Sequence, residues 1–118
     1  MKKYADLKLI VFSILFVTAS ITYSAPPVFQ AGAGADSTEA GVNNTASGEY
    51  SSAFGANNEA KGKNSSTLGF ENKADGEYSS GFGVENTASG VGSSAVGAGN
   101  QASEEYSSAS WSPTPPMY

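Results

Sequence analysis

The sequence predicts an all-β fold, a narrow β-solenoid built from fourteen-residue coils and preceded by a helical signal segment. Three observations predict it. A fourteen-residue repeat starts at Ser37 and runs without insertion or deletion to Tyr106, reading STEAGVNNTASGEY, SSAFGANNEAKGKN, SSTLGFENKADGEY, SSGFGVENTASGVG and SSAVGAGNQASEEY, before SSAS (Ser107 to Ser110) opens a sixth unit. A fixed period means one structural unit stacked on copies of itself. Within the unit an Ala-x-Gly triplet recurs at half the period, as in Ala53-Phe54-Gly55 and Ala60-Lys61-Gly62, so each coil reads as two short strands joined by two turns. Fourteen residues are too few for two packed helices, and the Gly, Ser and Asn content opposes helix.

The elements follow in order. Residues 1–24 have the parts of a secretory signal: Lys2, Lys3 and Lys8, then the apolar run Leu9 to Val17 broken only by Ser13, then small residues, with cleavage expected after Ser24. The continuous apolar part is shorter than the roughly 20 residues a bilayer span requires, so no membrane span is expected in the mature chain. Residues 25–36 read as a linker or an imperfect first coil, since Ala and Gly alternate there. Residues 37–110 are the repeats. Residues 111–118, WSPTPPMY, form a Pro-rich tail in which Pro113, Pro115 and Pro116 cannot donate ladder hydrogen bonds, so stacking is expected to stop.

Every unit begins with Ser and has Gly fifth, Asn eighth and Ala tenth, and four of the five have Gly twelfth. Gly at both corners is expected to supply the positive φ of tight turns. Side chains alternate faces along a strand, so if Ala53 and Ala60 meet inside the coil, Phe54 points outward. The same holds for Leu68, Phe82 and Val96, with Ala40 at the head of the column, an apolar stripe on the order of 15 Å long. Such a stripe marks an association surface, and these four large residues are the candidate interface of a symmetric oligomer. The alternative, that position four fills the solenoid's interior, stays open at this point.

The Asn column (Asn44, Asn58, Asn72, Asn86, Asn100) is expected to form an amide ladder that holds register between coils. The Ser column (Ser37, Ser51, Ser65, Ser79, Ser93, Ser107) presents hydroxyls in register that could order water. Tyr50, Tyr78 and Tyr106 share position fourteen with Asn64 and Gly92. Positions nine, thirteen and fourteen vary most between units, as solvent-facing turns do, and ligand contacts are expected there in preference to the Asn ladder.

Composition excludes several classes. Cys, His and Arg are absent, which removes disulfides, thiolate metal sites and the commonest catalytic base. No nucleophile triad, paired-carboxylate or phosphate-loop constellation can be assembled, so neither enzymatic activity nor a cofactor or metal is expected. Beyond Ala25 ten acidic residues stand against three lysines, a net charge of minus seven that argues against nucleic acid as partner.

SSAFG, SSTLG, SSGFG and SSAVG, followed in most units by NxAxG, resemble the head repeats of YadA-type trimeric autotransporter adhesins, also described as haemagglutinin-like repeats. The resemblance covers Ser37 to Ser110. It implies a left-handed parallel β-roll, association of three chains, display at the cell surface or outer membrane of a Gram-negative cell, and adhesion to host extracellular-matrix or cell-surface macromolecules. The family often carries Val at the second repeat position, where this chain has Ser52, Ser66, Ser80, Ser94 and Ser108, so half of the usual apolar surface is missing. Members continue into a coiled-coil stalk and a membrane β-barrel, and nothing after Ser110 has heptads or barrel strands. The sequence therefore reads as a head without its stalk or anchor, secreted or periplasmic as it stands: a fragment, the product of a premature stop, a short secreted relative or a non-functional remnant. A secreted solenoid that orders ice or another surface is the alternative from a different class, and its sparse Thr content speaks against it. A disordered spacer is opposed by the strict Gly and Ala spacing.

Overall fold

The computed structural model describes residues 29–111. The signal segment and most of the Pro-rich tail lie outside the described residues. β1 is Phe29–Ala31, and from there long and short strands alternate. The long ones are β2 (Thr38–Val42), β4 (Ser52–Ala56), β6 (Ser66–Phe70), β8 (Ser80–Val84), β10 (Ser94–Ala98) and the three-residue β12 (Ser108–Ser110). The short ones are β3 (Thr45–Ala46), β5 (Glu59–Ala60), β7 (Lys73–Ala74), β9 (Thr87–Ala88) and β11 (Gln101–Ala102). No helix occurs among the described residues.

Two sheets result. The seven-stranded sheet runs β1-β2-β4-β6-β8-β10-β12 and the five-stranded sheet runs β3-β5-β7-β9-β11. Register is offset by one repeat throughout, so Ser52 pairs Ser66, Phe54 pairs Leu68 and Gly55 pairs Gly69, while Ala60 pairs Ala74. All pairings are parallel except one. β1 runs antiparallel to β2, with Phe29 opposite Ala40 and Ala31 opposite Thr38. The chain then turns back so that the Gly34 N–H donates to the Ala46 carbonyl, the bond that Gly48 makes to Ala60 one coil later.

The core is narrow because its side chains are small. Ala46, Ala60, Ala74 and Ala88 from the short strands are fully buried, as are Ala53 and Ala95 from the long ones. The largest fully buried side chains are Asn58, Asn72 and Asn86. The large apolar residues lie outside, the reverse of an ordinary globular core.

Glycine acts in two ways, which corrects the expectation of positive φ at both corners. Gly41, Gly55, Gly69, Gly83 and Gly97 at position five have φ between 114° and 124°. Gly48, Gly62, Gly76 and Gly90 at position twelve do not have positive φ. They are required by close approach, because a Cβ on Gly62 would run into the Gly76 carbonyl oxygen of the next coil. The other left-handed residues fall at positions seven and fourteen, among them Asn57 (φ 57°), Glu71 (55°), Tyr50 (57°) and Asn64 (55°). Each coil thus holds three left-handed residues, one inside the long strand at position five and two in the connections at positions seven and fourteen.

Candidate functional site

The outer face of the long sheet is built by pleat alternation. With Ala53, Thr67, Gly81 and Ala95 turned inward and buried, their neighbours at positions two, four and six face out. Position four therefore does not fill the interior. Leu68 is 53% exposed, Phe82 36% and Val96 45%, while Phe54 is half-buried. Position six adds exposed Val42, Phe70 and Val84 alongside, and the half-buried Ser52, Ser66, Ser80 and Ser94 border the other flank. At the N-terminal end Phe29 joins the column, its ring edge-on to Phe54 with centroids 5.9 Å apart. Phe29, Ala40, Gly41, Phe54 and Gly55 line an open hollow of about 500 Å³.

Inside, each Asn amide closes a corner. The Asn72 Nδ2 lies 3.0 Å from Asn58 Oδ1, 3.1 Å from the Leu68 carbonyl and 2.7 Å from the Gly83 carbonyl, while its own Oδ1 accepts from the backbone N–H and Nδ2 of Asn86. Asn44, Asn58, Asn86 and Asn100 are joined through the same chain of contacts. Strand pairing continues through positions five and six, and the amide adds a side-chain donor to the position-four carbonyl of its own coil and, in all but the last coil, to the position-five carbonyl of the next.

The Ser column that opens each unit is turned inward, which corrects the idea that it orders water. Ser51, Ser65, Ser79 and Ser93 are fully buried, and their hydroxyls have no hydrogen-bond partner. Pleat parity explains it: position one shares a face with position three, which faces the core. The surface left to order water keeps only one Ser column.

Charge lies on the connections and on position nine, which opens each short strand and is not the turn that its variability suggested. Lys61 pairs Glu59 at 2.7 Å, Lys63 pairs Glu49 at 3.0 Å, and Lys73 lies 4.0 Å from Glu59. The hydrogen bond from Lys61 holds the Glu59 carboxyl below its ordinary value against a small opposing effect of burial, and the lysine charges add to it. Lys61 and Lys63 are raised, chiefly by their hydrogen bonds to Glu59 and Glu49. Among the described residues no cluster of acidic side chains is arranged to hold a metal ion.

Two residues escaped the sequence reading. Glu39 stands where later coils have a small inward residue, and its carboxylate accepts from the Ala46 N–H at 2.7 Å and from Gln30 Nε2 at 3.1 Å. Because β1 joins the long sheet, β3 is the edge of the short sheet, and Glu39 satisfies the N–H that edge exposes. The acidic break in a column of small residues was its signal. Phe29 had none, since it precedes the repeat.

Residues 33–58, 60–86 and 88–110 match the family model described as YadA head domain repeat (2 copies). Among curated proteins and among solved structures no match is found.

Proposed function

Because the chain belongs to the YadA head domain repeat family, an adhesin family, we propose that it is an exported, non-catalytic head module that associates as a homotrimer and attaches to extracellular-matrix or cell-surface macromolecules. The inverted packing supports this reading. Ala and Asn fill the core, while Leu68, Phe70, Phe82, Val84 and Val96 stand exposed on one flat sheet. A monomer leaves that stripe in water, and a threefold arrangement of identical stripes would cover it. The Ser column at position two lowers the apolar area available, so the trimer depends on positions four and six. Three copies of five coils would then present each outer column many times, and avidity would compensate for weak single contacts.

Two measurements test the reading. Sedimentation of the purified mature chain should give the mass of three copies, and the same material should adhere to immobilised matrix proteins or epithelial cells. A well-folded monomer would remove the assembly from the proposal. A trimer that adheres to none of these surfaces would remove attachment.

A further inference from the structure

We propose that Tyr50, Tyr78 and Tyr106, each with the glutamate that precedes it, form a row of stacking sites for a neutral β-1,4-linked glycan laid along the solenoid axis. This names a ligand class for the attachment module and rests on that reading.

The starting observation is a conflict between backbone and side chain. Position fourteen is left-handed in every coil, with φ of 57° at Tyr50, 57° at Tyr78 and 54° at Tyr106. Gly and Asn suit that conformation, and Gly92 and Asn64 occupy it in the other two coils. A tyrosine there is strained by about 1 kcal/mol or more, and burial of its ring would be the ordinary compensation. The rings are not buried: Tyr50 is 52% exposed, Tyr78 59% and Tyr106 76%. A bulky residue in a conformation it disfavours, with half or more of its surface left in solvent, points to a role at the surface.

Spacing and chemistry then select the ligand. Alternate coils place the tyrosines roughly 9.6 Å apart, twice the strand spacing, close to the length of one disaccharide in an extended β-1,4-linked glycan. The intervening coil makes room. The Tyr106 ring lies over Gly92, where an added Cβ would meet ring atoms at 2.7 and 2.9 Å. Aromatic faces stack on the apolar C–H faces of sugar rings, and carboxylates accept hydrogen bonds from sugar hydroxyls. Glu77 and Glu105, beside Tyr78 and Tyr106, make no salt bridge among the described residues, whereas Glu49 is held by Lys63. Tyr78 to Tyr106 is therefore the stronger segment. The acidic surface disfavours sulfated or uronate-bearing glycans. A polyproline segment has a similar pitch, but it offers the carboxylates no N–H donors, and its recognition uses aromatics paired into a groove, which single tyrosines on alternate coils do not form.

The test is titration of the folded chain with cellohexaose and chitohexaose, followed by amide chemical shifts, with a heparin hexasaccharide and a decaproline peptide in parallel. The paired change Tyr78→Asn with Tyr106→Asn copies Asn64 and suits the left-handed backbone, so the variant should fold at least as well. The proposal expects one neutral hexasaccharide to bind with shifts at residues 76–79 and 104–107, and the double variant to bind at least about tenfold more weakly. No binding of either neutral sugar, undiminished binding by the variant, or preference for heparin or decaproline overturns it. Adhesion to matrix and cells, measured on the same preparations, separates the two proposals. Adhesion without sugar binding sinks only the glycan row, and sugar binding without adhesion sinks only the attachment reading.

Discussion

Asn72 reaches back one coil to Asn58, with its backbone N–H and its side-chain Nδ2 each 3.0 Å from the same Oδ1. Both residues are fully buried. Removing the Asn72 side chain leaves the Leu68 and Gly83 carbonyls without this donor, and each buried unsatisfied group costs roughly 1–3 kcal/mol. Asn72→Ala is therefore expected to destabilise the fold by about 3 kcal/mol, read from urea unfolding. Asn44→Ala, at the half-buried first coil, should cost less than half of that. Equal costs at the two positions would mean that the ladder does not act through burial.

The glycines separate by mechanism. Gly62→Ala forces a Cβ into the Gly76 carbonyl and should cost at least about 2 kcal/mol, because a stacked backbone cannot move for one coil alone. Gly99 has φ 67° with nothing within 4 Å of an added Cβ. Gly99→Ala should lose only the left-handed penalty, about 1 kcal/mol. Thermal unfolding of the two variants under one condition decides the order.

Changing Phe54 and Phe82 together to Asp places two charges per chain in the proposed trimer interface while touching nothing in the Ala and Asn core. Monomers or insoluble material are expected, with mass measured by sedimentation. An unchanged trimer mass would move the interface to another face.

The ion pairs set a weak pH dependence of known sign. Glu59 is lowered, so its contribution is present above the ordinary carboxylate range and is lost as pH falls through the lowered value. Lys61 and Lys63 are raised, so theirs is present below the ordinary lysine range and is lost as pH rises through the raised values. All three are solvent-exposed and screened by salt. Stability should be flat between about pH 5 and pH 9, and Lys63→Met should leave the unfolding midpoint unchanged within error. A sharp transition in that window would point to a titrating group elsewhere.

The sequence by itself determined the architecture, because a solenoid's contacts repeat with its period: coil length and the one-repeat register offset follow from spacing, while the structure decided that Phe54, Leu68, Phe82 and Val96 face outward and do not fill the interior. The sequence reached Ala53 and Ala60 as inner residues on the condition that Phe54 points outward. It did not distinguish Gly55, which needs both positive φ and space beside the Gly69 carbonyl, from Gly62, which needs space alone, since both appear only as Gly in the repeat. Nor was Ser51 read as inward, although it shares pleat parity with Ala53, because Ser is mostly found on exposed faces. The antiparallel β1, the Phe29 contact with Phe54 and the Glu39 carboxylate on the Ala46 N–H were decided by the tertiary structure alone. They lie at the end of the stack, where the next coil no longer dictates the partner and the exposed edge must be satisfied by whatever residues the chain supplies.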